Sequence, residues 1–126
     1  MATKLRLALA SLVHDHVWGE LKHWQSHPDV EIVAVGEADE RLRKRAVEAT
    51  GAKAYASWEE MIERESPDIV LASSDNAISP AITEAAMAKG AHVVTEKPMA
   101  STLEGAERML ASANRYSRLL YVNWPN

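Results

Sequence analysis

The chain contains no cysteine, and several other features that define classes of protein are also missing from it. Without cysteine it forms neither disulfides nor thiolate metal sites, and nothing in it indicates secretion. The formal net charge of -4 provides no basic surface, which argues against nucleic acid or an anionic membrane as a partner. No apolar run approaches the ~20 residues of a membrane span, and the first strand begins at Leu5, too early for a signal peptide. We therefore expect a cytoplasmic protein.

What the chain does contain is a regular alternation of short apolar runs and helical patterns. The apolar runs predict six strands, at residues 5–10, 30–36, 52–55, 69–73, 91–95 and 119–122. Each interval reads as a helix, which makes a right-handed crossover between parallel strands. We therefore predict an α/β fold: a doubly wound, parallel six-stranded sheet of Rossmann-like type, with strand order 3-2-1-4-5-6. The 126 residues, 47% of them hydrophobic, have room for one core, so residues 1–126 are expected to form a single domain.

Capping residues mark the ends of several predicted helices. Asp39 and Gly51 bracket the second helix, and a capping box begins the third at Ser57. Ser101 and Glu104 predict another capping box at the start of the last helix. The apolar stripe of that helix is expected to face the core and consists of Leu103, Ala106, Met109, Leu110 and Ala113.

The loop after the first strand lacks the glycines that its place in the fold calls for. A strand, turn and helix at this position usually form a phosphate cradle with the pattern Gly-x-Gly-x-x-Gly. Here the six positions are Ala10, Ser11, Leu12, Val13, His14 and Asp15. Leu12 is expected to place a side chain where the backbone normally approaches a pyrophosphate, and Asp15 adds a negative charge. We predict that residues 10–14 still contact a dinucleotide, but weakly.

The other carboxyl ends of the strands carry polar residues, and ligands of doubly wound sheets bind at these ends. They are Glu37 after the second strand, Ser73, Ser74 and Asn76 after the fourth, and Glu96 and Lys97 after the fifth. Glu37 is placed to accept hydrogen bonds from a ribose hydroxyl and to repel a 2′-phosphate, which favours NAD over NADP. Two alternatives stay open: Glu37 is a solvated turn residue, or Arg41 meets the phosphate of NADP.

His14, Asp15 and His16 form a dense polar cluster at the same edge of the predicted sheet. Such a cluster could contact phosphate, substrate or a metal ion. Two histidines one residue apart rarely face one ion from a strand, although a loop permits it. We therefore predict ligand contact or solvent exposure for this cluster and no metal site.

The tripeptide Glu96-Lys97-Pro98 resembles a motif of the Gfo/Idh/MocA family, which includes glucose-fructose oxidoreductase and inositol dehydrogenase. It follows a strand that begins after Gly90 and precedes a capped helix, as the family motif does. Asn76 and Glu37 stand where the family has an asparagine and an acidic residue. The similarity in element order and spacing extends over residues 6–122.

The resemblance implies the nicotinamide-dinucleotide domain of an enzyme that transfers hydride to or from a sugar, cyclitol or related polyol. It assigns Lys97 as the catalytic residue, beside the nicotinamide and the substrate hydroxyl. Glu96 would position that lysine or the nicotinamide ribose. The implied cofactor site comprises Ala10, Ser11, Leu12, Val13, His14, Glu37, Ser73, Ser74, Asn76, Glu96 and Lys97. The second domain that supplies most substrate contacts in this family is absent, so the chain alone is expected to be inactive.

A function of a different class stays open, namely a non-catalytic binding or interaction module that lost dinucleotide chemistry together with its glycines. Leu12 and the absent second domain favour this alternative. Tyr121, Trp124 and the open edge of the last strand also predict that two copies pair, with a monomer as the competing outcome.

Overall fold

The computed structural model describes residues 4–123, in which strands and helices alternate along the chain. The strands are β1 (Leu5–Ala10), β2 (Val30–Gly36), β3 (Lys53–Tyr55), β4 (Ile69–Ala72), β5 (His92–Glu96) and β6 (Leu120–Asn123). The helices are α1 (Val17–Ser26), α2 (Glu40–Thr50), α3 (Trp58–Glu65), α4 (Ser79–Ala88) and α5 (Leu103–Tyr116). The six predicted strands are confirmed, with shifts of one residue at the ends of β3 to β6.

The six strands form one parallel sheet in the order β3-β2-β1-β4-β5-β6. The predicted fold class and strand order are therefore confirmed. The chain runs outward from β1 in one direction and then, from β4, in the other. Loops that follow β1 and β4 diverge at this switch point, which leaves a crevice at the carboxyl ends of the two strands.

Helices cover both faces of the sheet. Val17 and Leu21 of α1 and Ala46 of α2 join a core cluster with Leu7 and Leu9 of β1. On the other face, α3 and α4 supply the larger apolar side chains of a second cluster, against which part of α5 packs. The central strands are buried on both faces, which explains their nearly continuous apolar sequences.

The helix caps agree with the sequence pattern at α2 and α3 but not at α5. Asp39 accepts hydrogen bonds from the first turn of α2, and Gly51 ends that helix in the left-handed conformation. Ser57 caps α3 by accepting from Glu60 N–H. The predicted cap of α5 at Ser101 is wrong, because Thr102 has the extended backbone and accepts from Gly105 N–H through its hydroxyl oxygen.

The predicted inward stripe of α5 is also partly wrong. Met109 is fully buried, but Leu103 is 76% exposed and Leu110 is 54% exposed. The helix packs along its small residues instead, with Gly105 held against Pro80 of α4. Close approach of two helices selects small side chains at the contact, so the longest apolar residues need not mark the buried face.

Across residues 4–123 the structure contains no helix long and apolar enough to cross a membrane. Tyr121 is 60% exposed on β6. Trp124 lies outside the described residues, so the pairing of two copies stays a prediction.

Candidate functional site

A crevice of about 450 Å³ opens between the loop after β1 and the loop after β4. It is lined by Val13, His14, Asp15, His16, Ser74, Asp75 and Asn76. The structure thus brings together four of the residues predicted for the cofactor site, from two segments sixty residues apart. Glu37, Glu96 and Lys97 lie at neighbouring strand ends rather than in this lining.

The loop after β1 turns at Ser11, whose φ of 74° is in the left-handed region. A residue with a Cβ atom adopts this conformation at a cost of roughly 1–2 kcal/mol. Two backbone hydrogen bonds support it: Ser11 N–H donates to Gly36 O at 2.8 Å, and His14 N–H donates to Ser73 O at 2.9 Å. Ser11 therefore occupies the position that favours glycine. The sequence pattern had aligned its first glycine with Ala10, which is one residue earlier and fully buried.

Leu12 does not obstruct the crevice, so that expectation is wrong. Its side chain is 1% exposed and packs in the core cluster that contains Val17 and Leu21 of α1. The next side chain, Val13, is 60% exposed and lines the crevice. The left-handed turn at Ser11 decides which of the two side chains faces the core, and a sequence pattern alone does not reveal it.

Two backbone N–H groups of this loop, those of Val13 and Asp15, have no hydrogen-bond acceptor within the part of the chain that the structure describes. The helix α1 begins directly afterwards, and the side chain of its N-cap residue, His16, makes no capping hydrogen bond. Donors of this kind near a helix N-terminus are favourable positions for phosphate oxygens. Two backbone donors beside the start of α1 are therefore left for a ligand or water, although the loop contains no glycine.

Glu37 is buried at the end of β2, and its carboxylate connects two loops. Oε1 accepts a hydrogen bond from Leu12 N–H at 2.7 Å, and Oε2 accepts one from Asp39 N–H at 2.8 Å. With 7% of its surface exposed, Glu37 is not the solvated turn residue that the sequence left as an alternative. The neighbouring guanidinium of Arg43, a residue that sequence reasoning missed, donates to the carbonyl oxygen of Glu37 at 2.7 Å. Arg41, the proposed alternative phosphate ligand, is exposed.

The residues after β4 have different roles: some hold neighbouring segments in place, and one lines the crevice. Ser73 is fully buried, and its carbonyl oxygen holds the β1 loop through His14 N–H. The hydroxyl of Ser74 is buried 3.0 Å from the hydroxyl of Ser79 at the start of α4. Asn76 is half-buried and lines the crevice.

At the end of β5, Glu96 and Lys97 differ in their exposure. The Glu96 side chain is 2% exposed, whereas Lys97 is exposed. Glu96 Oε2 lies 3.5 Å from Nδ1 of His16, in the loop after β1. Sequence reasoning did not predict this contact. The sequence did contain one signal for this contact: β1 and β5 are predicted to be parallel, so their carboxyl ends must lie at the same edge of the sheet.

A second concavity, of about 510 Å³, lies against the face of the sheet and is lined by Gly19, Glu20, His23, Trp24, Val94 and Tyr121. We call it the α1 groove. Although it is larger than the crevice, it lies beside β5 and β6 rather than at the switch point. Dinucleotides bind doubly wound sheets at the switch point, so the crevice is the better candidate.

A doubly wound parallel sheet with this crevice, its loop N–H donors and an acidic residue after β2 defines a dinucleotide-binding domain. The sequence model described as "Oxidoreductase family, NAD-binding Rossmann fold" matches residues 18–124. The chain belongs to this family, Gfo/Idh/MocA, which confirms the resemblance seen around Glu96-Lys97-Pro98. The match begins at residue 18, after the loop from which the family's glycines are missing.

Two reductases of sugar compounds are similar to this chain. The dTDP-3,4-didehydro-2,6-dideoxy-alpha-D-glucose 3-reductase of Streptomyces antibioticus is 31% identical over 99 residues, which cover 79% of this chain and 30% of that protein. The 1,5-anhydro-D-fructose reductase of Ensifer adhaerens is 36% identical over 84 residues, which cover 67% of this chain and 25% of that protein.

Solved structures show the same fold. The WlbA dehydrogenase from Chromobacterium violaceum, in complex with NADH and UDP-GlcNAcA, superimposes with a TM-score of 0.89 at 30% identity. The superposition covers 95% of this chain and 35% of that one. The chain thus spans about a third or less of the length of these relatives.

Proposed function

We propose that the chain binds a nicotinamide dinucleotide in the crevice between the β1 and β4 loops, as the cofactor domain of an oxidoreductase acting on a sugar, cyclitol or related polyol. The observation that carries the proposal is the pair of N–H groups of Val13 and Asp15, which find no acceptor among residues 4–123 and lie at the switch point of the family's fold. The names of the relatives support the substrate class. Bound nicotinamide would exchange a hydride with the carbon that carries the substrate hydroxyl.

Phosphate contact in this crevice rests on backbone donors rather than on basic side chains. The lining residues include two carboxylates, of Asp15 and Asp75, and no lysine or arginine. Asp75 Oδ1 already accepts a hydrogen bond from Ala77 N–H at 2.9 Å, which offsets part of its charge. The backbone donors fit a dinucleotide, but because two carboxylates line the crevice we expect modest affinity.

Glu37 is proposed to select NAD over NADP. A carboxylate has about four lone-pair sites, and the two hydrogen bonds from Leu12 and Asp39 leave capacity for a ribose hydroxyl. A 2′-phosphate beside this buried negative charge would be repelled. Because the backbone fixes both carboxylate oxygens, Glu37 cannot readily turn away to admit the phosphate.

Lys97 is proposed as the catalytic residue, with Glu96 beside it at the end of β5. Lys97 is exposed, so a substrate hydroxyl could approach its side chain and exchange a proton with it. The Glu96 side chain is held almost entirely within the protein at this strand end. We propose that residues 1–126 act as the cofactor domain, and that most substrate contacts come from residues outside it.

A second candidate is a binding module that no longer uses a dinucleotide. The left-handed Ser11 favours this candidate, because the loop keeps a strained conformation without the glycine that would relieve it. The two candidates differ in one measurable property, the affinity for nicotinamide dinucleotides.

Fluorescence titrations with NADH and NADPH separate these candidates. We expect NADH to bind, with a dissociation constant about tenfold or more below that of NADPH because of the Glu37 charge. Val13→Glu should weaken NADH binding by about tenfold, since it adds a negative charge beside the phosphates. Leu110→Glu is the matched control on the exposed side of α5 and should bind as the unmodified protein does. Absence of binding at millimolar NADH would favour the module.

A further inference from the structure

We propose that His14, His16 and Glu96 form a site for a divalent transition-metal ion of the zinc type. One ligand atom from each of the three residues lies within 4.8 Å of the other two. The residues come from the β1 loop and from the end of β5, so the fold rather than the local sequence brings them together. The dinucleotide proposal neither requires this site nor predicts it.

The distances are close to those of a zinc site with three protein ligands. Tetrahedral coordination with bonds of about 2.1 Å separates neighbouring ligand atoms by roughly 3.4 Å. His16 Nδ1 and Glu96 Oε2 are already 3.5 Å apart. The widest of the three gaps therefore has to shorten by at most roughly 1.5 Å. Rotation of a histidine side chain in the loop can supply that movement.

The two imidazole rings are arranged so that they can turn toward a common point. Their centroids are 4.5 Å apart and their planes are tilted by 54°, so the rings are not stacked. His14 Nδ1 accepts a hydrogen bond from His16 N–H, but at 3.3 Å it is a long one. His14 is half-buried and the His16 side chain is 50% exposed, which leaves the site open to ions from solution.

The chemistry of the donor set selects the class of ion. Imidazole nitrogen and carboxylate oxygen are common zinc ligands, whereas calcium and magnesium prefer oxygen ligands alone. Three protein ligands leave a coordination position for water or another ligand. These features favour a zinc site over the alternative, in which an imidazolium and a carboxylate are in contact without a metal ion.

A zinc titration of the protein against a chromogenic chelator, without dinucleotide, tests the site. The variants are His16→Ala and Glu96→Gln, and the matched control is the double variant His23→Ala/His27→Ala, which removes two exposed histidines four residues apart. We expect one zinc ion per chain in the unmodified protein and in the control. Each site variant should weaken zinc binding by about tenfold or more.

Glu96 is buried, so His16→Ala carries the test alone if Glu96→Gln does not fold. Circular dichroism checks that His16→Ala is folded, which its exposed position favours. Zinc affinity unchanged by His16→Ala, lost in the control, or weaker than millimolar would overturn the proposal. Since no dinucleotide is present, either result leaves the NADH titration and its interpretation unaffected.

Discussion

Replacing Gly36 by alanine is expected to lower the free energy of unfolding by about 3 kcal/mol, near the upper end of the range for overpacking. A Cβ atom at this position would lie 2.6 Å from Cα and 3.0 Å from the backbone nitrogen of Trp58, and 3.1 Å from the carbonyl oxygen of Ser57. All three are backbone atoms, so no side chain can rotate away. The end of β2 or the start of α3 must move, and denaturant unfolding monitored by circular dichroism measures the cost.

The matched control for this substitution is Gly19→Ala in α1. A Cβ atom at Gly19 meets nothing within 4 Å, and alanine is the better helix former by about 1 kcal/mol. The control should therefore be as stable as the unmodified protein or more so. If Gly36→Ala were as stable as the unmodified protein, the close approach of α3 to β2 would be contradicted.

Glu37→Gln is expected to destabilise the domain by about 2 kcal/mol, because a charged acceptor of two backbone hydrogen bonds is replaced by an amide. The amide has one oxygen, so its NH₂ group must face the N–H of either Leu12 or Asp39. One buried or partly buried donor then loses its acceptor. Denaturant unfolding again gives the magnitude, and the loop after β1 should become less well ordered.

Glu31→Gln is the matched control for Glu37→Gln, since it makes the same chemical change on an exposed residue of the same strand. Its effect should stay within about 0.5 kcal/mol. If the two variants were equally stable, the hydrogen bonds that Glu37 accepts from Leu12 and Asp39 would contribute nothing measurable to the free energy of unfolding.

The sequence predicted the fold almost completely because several of its signals agree. The apolar run of β1 and the Asp39 and Gly51 ends of α2 each indicate the element that the structure contains. The strict alternation of elements then leaves few possible topologies, since crossovers between parallel strands are right-handed. Strand order could thus be predicted before any contact was known.

The site was predicted less well because its details depend on single backbone angles and on long-range contacts. The left-handed turn at Ser11 buries Leu12, which was expected to face the ligand, and leaves Val13 exposed. The contact between His16 and Glu96 joins residues eighty positions apart, across strands that are not neighbours in the sheet. Local patterns carry no information about either feature.

Backbone amide chemical shifts, recorded by NMR during a titration with NAD⁺, test the proposed dinucleotide site most directly. We predict that the amides of Val13, Asp15 and Asn76 shift together as the crevice fills. The amides of Trp24 and Tyr121, which line the α1 groove, should stay unchanged. Shifts centred on the α1 groove, or none at millimolar NAD⁺, would contradict a dinucleotide site between the β1 and β4 loops.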